Sequence, residues 1–210
     1  MKKNCTEVVF VLDRSGSMCG LEKDTIGGFN SLINKQKKQD GEVLVSTVLF
    51  NDSSVVIHDR KPIDEVRLMT NKDYEVYGCT ALLDALGSSI HHIGNVHKYA
   101  RNEDVPEHTM FVIITDGMEN ASRYYSKERV KSMIEYEKEK YGWEFLFLAA
   151  NMDAIDTASQ YGIDKDHAVN YQCDSVGTRL NYEVLDEAIQ CICSGVPLSK
   201  SWKSKIEKRK

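Results

Sequence analysis

Val8-Val9-Phe10-Val11-Leu12 runs directly into Asp13-Arg14-Ser15-Gly16-Ser17-Met18. The apolar run is short, rich in valine and cut off by a carboxylate, which reads as a strand buried on both faces. Five further short apolar runs follow, Val43–Phe50, Val55–His58, Met110–Thr115, Glu144–Ala150 and His167–Tyr171, of which near-continuous ones such as FVIIT and FLFLAA fit central parallel strands buried on both sides. Longer amphipathic stretches separate most of them. Apolar residues recur at helical spacing at Ile26, Phe29, Leu32 and Ile33, at Leu82, Leu86, Ile90 and Ile93, at Val130, Met133, Ile134 and Tyr141, and at Leu185, Ala188, Ile189 and Ile192. Asp153 to Tyr161 adds a shorter helix. The alternation predicts an α/β fold, a doubly wound, Rossmann-like three-layer sandwich with about six mostly parallel strands. Only Asn51, Asp52, Ser53 and Ser54 separate the second and third runs, too few for a helical crossover, so the third is expected to be an antiparallel edge strand.

The length of 210 residues suits one domain with a continuous core. Hydrophobic residues at 41% and charged residues at 28% exclude disorder and fibrous repeats. No apolar stretch reaches the ~18 residues needed to span a bilayer, and Val8–Leu12 is too short for a secretory signal, so a cytoplasmic location is expected. Six scattered cysteines without a CxxC argue for reduced thiols and against a zinc site. The stretch Lys200 to Lys210 carries six Lys/Arg against one Glu, about +5, within a chain of net charge -5. The remainder is therefore near -10, which argues against a nucleic-acid-binding face. A domain over residues 1–197 followed by a basic tail over 198–210 is expected, the tail solvated or frayed rather than gripping an acidic partner.

The loop after the first run carries the chemistry, and a helix is expected to begin near Gly20 after it. In an extended loop, side chains two apart point the same way, so Asp13, Ser15 and Ser17 can converge on one point, and Gly16 permits a tight turn. A carboxylate and small hydroxyls are hard oxygen ligands suited to Mg2+, Ca2+ or Mn2+. Met110–Thr115 ends in Asp116-Gly117-Met118-Glu119-Asn120, and ligands of doubly wound sheets sit outside the carboxyl ends of the strands. Tyr77-Gly78-Cys79-Thr80-Ala81-Leu82 offers a further hydroxyl where a helix begins. The competing reading makes Asp13, Ser17 and Thr80 helix caps, with Asp84 serving the first turn after Thr80 in preference to a supporting hydrogen bond at the site, and Glu119 and Asn120, which border the site, acting as a cap or solvated loop. Cys19 and Cys79, each beside a candidate ligand, permit a redox pair, although small buried thiols fit equally well. His91, His92 and His97 lack the spacing that would place two on one ion.

Together, DRSGSM after the first strand, GCTAL before a helix and ITDGMEN after a central strand resemble the von Willebrand factor type A domain family. That family's metal ion-dependent adhesion site uses a DxSxS motif, a distant Thr and a distant Asp. The resemblance places these on Asp13, Ser15, Ser17, Thr80 and Asp116, spans at least residues 7–120, and is compatible with the fold to about residue 193. It implies direct ligation by the two serines, ligation by Thr80 and Asp116 directly or through water, and an indirect role for Asp13 through water and hydrogen bonds. It further implies one open metal position that accepts an Asp or Glu from a partner protein. Bacterial stand-alone proteins similar to this one often work beside ATPases or in stress-related complexes. The expectation is a metal-dependent binding module and not an enzyme. Neither GxSxG, GxGxxG nor GxxxxGK[ST] occurs at the required place. A Mg2+-dependent phosphoryl hydrolase is the strongest rival, since a strand-end aspartate plus Mg2+ is what such enzymes use, but Ser15 stands where a second acid is expected.

Overall fold

The computed structural model describes residues 1–209. Six strands form one sheet: β1 Lys2–Asp13, β2 Glu42–Phe50, β3 Ser54–Pro62, β4 Pro106–Thr115, β5 Glu144–Ala149 and β6 Ala168–Asn170. Their order is β3-β2-β1-β4-β5-β6. All neighbours are parallel except β2 and β3, which pair antiparallel at one edge. The helices are α1 Glu22–Gln36, α2 Leu82–Tyr99, α3 Lys127–Tyr141, α4 Ala154–Gln160, α5 Ser175–Cys193 and a short α6 Ser204–Glu207.

Strand alternation divides the core in two. Val8, Phe10, Leu12, Met110, Val112, Ile114, Leu146 and Leu148 face α1 and α5. Val9, Val11, Phe111, Ile113, Phe145 and Phe147 face α2, α3 and α4. Strands buried on both faces carry no polar alternation, which is why β1, β4 and β5 read as continuous apolar runs. Chain connections leave β1 towards β2 on one side while β4 lies on the other, so the winding reverses between β1 and β4, and their carboxyl ends flank a crevice.

Three details differ from the sequence reading. Strand β1 begins six residues earlier than Val8, because Lys2 and Thr6 to Glu7 also pair with β4 around an irregularity at Asn4, whose φ is 55°. Glu7 within that extension is fully buried, joined to Arg60 at 2.8 Å and His97 at 2.6 Å. The helix expected near Gly20 starts at Glu22, after a 3-10 turn over Gly16–Met18.

The basic segment is not a frayed tail. Trp202 and Ile206 are buried against the α1/α5 side of the core. The Trp202 indole donates to Asp166 O at 2.8 Å, and Lys203 Nζ donates to the carbonyls of Lys165 and Ala168. Lys200 pairs with Asp166, Lys205 with Glu187, and Arg209 grips Asp174 through two bonds of 2.7 Å. Two apolar anchors spaced four apart, among cations that find acids on the body, account for this docking; residue 210 lies outside the described residues. Among the described residues, no helix is long and apolar enough to cross a membrane.

Candidate metal centre

Strand β1 ends at Asp13, whose carboxyl is buried and committed on both oxygens. Oδ1 accepts from Ser15 N at 2.7 Å, and Oδ2 accepts from Thr115 Oγ1 at 2.6 Å. Burial raises the Asp13 carboxyl above its usual range; the bonds from Thr115 and Ser15 oppose that rise, and the Asp116 charge adds to it. Thr115 also accepts from Gly117 N at 3.3 Å, so one hydroxyl ties the end of β1 to the turn after β4. The Tyr74 phenol, fully enclosed and held well above its usual pKa chiefly by burial, donates to the carbonyl of Asp13.

The Asp13–Met18 loop is then stitched to two other segments. Arg14 N donates to Phe50 O, Gly16 N to Gly78 O, and Tyr77 N to Arg14 O. Thr80 is positioned from both sides: its N–H donates to Asn120 Oδ1 at 2.9 Å, while its carbonyl accepts from Asn120 N and Ala121 N. Asn51, wholly buried, accepts from Ala81 N through its carbonyl and donates through Nδ2 to Tyr77 O.

The hydroxyls meet around Gly117. A Cβ placed on Gly117 would stand 2.6 Å from Thr80 Oγ1, 3.0 Å from Ser17 Oγ and 3.4 Å from Ser15 Oγ. Ser15 Oγ and Ser17 Oγ lie 3.0 Å apart. Asp116 adjoins them, with Oδ2 accepting from Cys173 Sγ at 3.2 Å and Oδ1 buried without any partner. Burial, followed by the bond to Asp116, pushes the Cys173 thiol up to about 11, so it remains a neutral S–H donor. All five candidate residues therefore cluster at the crevice between β1 and β4. The open cleft has a volume of about 410 Å3, with Ser15, Ser17, Thr80, Asp116 and Asn151 among its lining.

This donor set fits a hard divalent cation. Three hydroxyl oxygens from two segments converge on a space that the missing side chain of Gly117 leaves open, and Asp116, one of whose carboxylate oxygens is buried without a partner, lines the same cleft. The cleft exceeds the ~30 Å3 of a water molecule many times over, leaving room for waters or an incoming group. Among the described residues, no cluster of three or more His, Cys, Asp or Glu side chains is disposed to hold a metal, so a soft-ligand site has no counterpart here.

The cap reading of the same residues fails. Neither the 3-10 turn after Ser15 nor α1 is capped by a side chain, and the position preceding α2 is Ala81, not Thr80. The amides at the start of α2 are served from across the site: Leu83 N donates to Glu119 Oε2 and Asp84 N to Ser122 Oγ. Asp84 in turn accepts from the backbone of Arg123, Tyr124 and Tyr125. Glu119 is thus a cap, as one sequence reading had it, but for a helix 36 residues earlier. Cys19 and Cys79 are exposed free thiols, and His91, His92 and His97 turn to Tyr125, Asp59 and Glu7 separately. Thr115, Tyr74, Asn51 and Cys173 escaped the sequence reading, since each acts across 26 to 102 positions of chain without a local motif.

No sequence-family model matches the chain, and no curated protein matches it either. Solved structures do. The vWF domain of the type V pili tip protein Mfa5 from Porphyromonas gingivalis is 10% identical, with a TM-score of 0.64 over 92% of this chain and 97% of that one. A von Willebrand factor type A protein from Catenulispora acidiphila is 11% identical, with a TM-score of 0.56 over 88% of this chain and 42% of that one. Proximal thread matrix protein 1 from the mussel byssus, with a zinc-occupied MIDAS motif, is 15% identical, with a TM-score of 0.60 over 90% and 47%. The chain spans about half the length of the last two. Its fold is a doubly wound α/β sandwich with a hydroxyl-lined crevice at the winding reversal. That fold is the von Willebrand factor type A fold.

Proposed function

We propose that the chain is a divalent-cation-dependent protein-binding module of the von Willebrand factor type A family. The cation, Mg2+ with Mn2+ or Ca2+ as alternatives, sits in a site built from Asp13, Ser15, Ser17, Thr80 and Asp116, with Asp13 acting on it through water and hydrogen bonds. The observation that carries this is the convergence of the Ser15, Ser17 and Thr80 hydroxyls on the bare face of Gly117, beside the unpartnered Asp116 oxygen. Asp13, whose oxygens accept from Ser15 N and Thr115 Oγ1, orients these two residues and acts on the ion indirectly. A bound cation offers positive charge poorly neutralised by hydroxyl donors, so it attracts an external carboxylate. The partner is accordingly a protein that presents an Asp or Glu, and an ATPase or stress-related complex is the kind we expect. The zinc-occupied site of the mussel protein supports the same use of the fold. A reducing cytoplasmic setting suits the free cysteines.

The rival phosphoryl hydrolase draws less support. Asp13 is buried and is not among the residues lining the cleft, and the described residues that do line it include no lysine, arginine or histidine to neutralise a transferring phosphoryl group. The test is calorimetric titration with Mg2+ and Mn2+, followed by capture of partners in Mg2+ and in EDTA. Asp13→Ala and Asp116→Ala should each abolish cation binding, and EDTA should release the partner. Undiminished binding in both variants, or turnover of a generic phosphate ester, would overturn the proposal.

A further inference from the structure

At the opposite end of the sheet, the last turns of α2 and α3 and the first residues of β4 enclose a second cavity of about 320 Å3. Its walls include Gly94, His97, Thr109, Glu137, Tyr141 and Trp143. Glu137 is only 8% exposed, and its Oε2 is buried without a hydrogen-bond partner. Its Oε1 lies 3.3 Å from where a Cβ of Gly94 would stand, so the bare face of that glycine makes room for the carboxyl. Met1 and Lys98 also line the cavity, and the side-chain cations near Glu137 are engaged with other groups. His97 bonds Glu7, which also holds Arg60; Lys138 reaches Gly162 O and Asp164; Lys140 reaches Tyr136 and covers one face of the Tyr141 ring at 4.9 Å; and Lys98 lies over the Tyr99 ring. Among the described residues none forms an ion pair with Glu137.

A buried carboxyl without a partner is costly, and burial accordingly raises this one above its usual range, with His97 and Lys140 opposing only in part. Beside it stands an aromatic wall. Trp143 is fixed by stacking on Phe111 at 5.4 Å and by a T-shaped contact with His97 at 5.4 Å, while Tyr141 lines the cavity with half its surface exposed. A carboxylate set among aromatic faces, in a cavity of the size that small ligands occupy, is the arrangement that recognises organic cations. Glu107 adds a second acid to the lining.

We propose that this cavity binds a small primary alkylammonium compound, the ammonium group against Glu137 and the alkyl chain against Trp143 and Tyr141. An ammonium supplies the Glu137 carboxyl with both a hydrogen-bond donor and the charge that burial withholds, whereas a neutral alcohol supplies only the first.

The probe is butylammonium chloride, compared with n-butanol at matched ionic strength, on the full chain. The readout is the indole N–H resonance of Trp143, distinguished from that of Trp202, the other tryptophan of the chain, by a Trp202→Phe variant. A saturable shift of the Trp143 resonance with butylammonium, at least tenfold weaker with n-butanol, is expected. Glu137→Gln should weaken binding at least tenfold, and Tyr141→Ala, at an exposed position, by ~3-fold. No saturable shift, equal binding of the alcohol, or unchanged affinity in Glu137→Gln would overturn the assignment. Should Glu137→Gln fail to fold, the comparison of amine with alcohol and the Tyr141→Ala variant decide it.

Discussion

Replacing Gly117 with alanine places a methyl group where the cation is proposed to sit. The backbone of Gly117 lies outside the left-handed region, so alanine is conformationally tolerated there, and the consequence is steric. The new Cβ would stand 2.6 Å from Thr80 Oγ1 and 3.0 Å from Ser17 Oγ, against an ordinary contact of ~3.5 Å or more. Both obstructing atoms are ends of short side chains that can rotate. In the metal-free protein the substitution should therefore cost no more than the ~1–3 kcal/mol typical of overpacking. Cation binding has no such latitude, because Mg2+ requires oxygens at ~2.0–2.1 Å in near-octahedral positions, and rotating Thr80 or Ser17 aside removes a ligand. At a hundredfold excess over Kd, the native chain gains ~2.7 kcal/mol from the cation. With an unfolding entropy of ~2.1 cal/mol/K per residue over 210 residues, that gain is a rise in Tm of ~6 °C. Gly117→Ala should abolish the rise while retaining a cooperative transition in EDTA. Melts with and without Mg2+, paired with calorimetric titration, measure both quantities. A variant that binds Mg2+ as tightly as the native chain, or keeps the full rise in Tm, would refute the placement of the ion beside Gly117.

Glu119→Ala removes acceptors for Leu83 N, Ala121 N, Ser122 N and Ser122 Oγ, and should cost ~1–2 kcal/mol in urea denaturation while weakening cation affinity, because the same turn holds Thr80; unchanged values would show that Asn120 alone positions it. Trp202→Ala should destabilise the chain by ~3 kcal/mol through the cavity it leaves against the α1/α5 core, whereas a frayed segment would show no loss in the same denaturation. The Arg209 guanidinium holds the Asp174 carboxyl down at about 2, below its ordinary value of 3.8. A depressed carboxyl stabilises the folded chain fully above its unfolded value and loses that contribution as pH falls from about 4 through about 2. Arg209→Gln should therefore flatten this part of the acid limb of stability against pH, and an unaltered limb would disprove the pairing in solution.

What the sequence alone determined was the content and order of the fold. Apolar runs such as Met110–Thr115 are legible because a strand buried on both faces has no alternative chemistry, and the short link after Phe50, Asn51 to Ser53 between the paired strands, permits only a hairpin. The candidate ligands were legible for a related reason: Asp13, Ser15 and Ser17 sit at fixed spacing in a loop whose start the strand defines. The tertiary structure alone decided what surrounds them. Thr115 clamping Asp13, Asn120 and Glu119 holding Thr80 and α2, and Cys173 against Asp116 are single polar contacts between distant segments, and one polar residue in a loop has no periodicity to betray its partner. The same reason hid the buried Glu7, whose partners Arg60 and His97 stand on β3 and α2. The basic end of the chain misled in the opposite sense. Its charge pattern reads as solvated, yet Trp202 and Ile206 lie within it, and whether two apolar residues find a core depends on the groove left between elements that fold far from them in sequence.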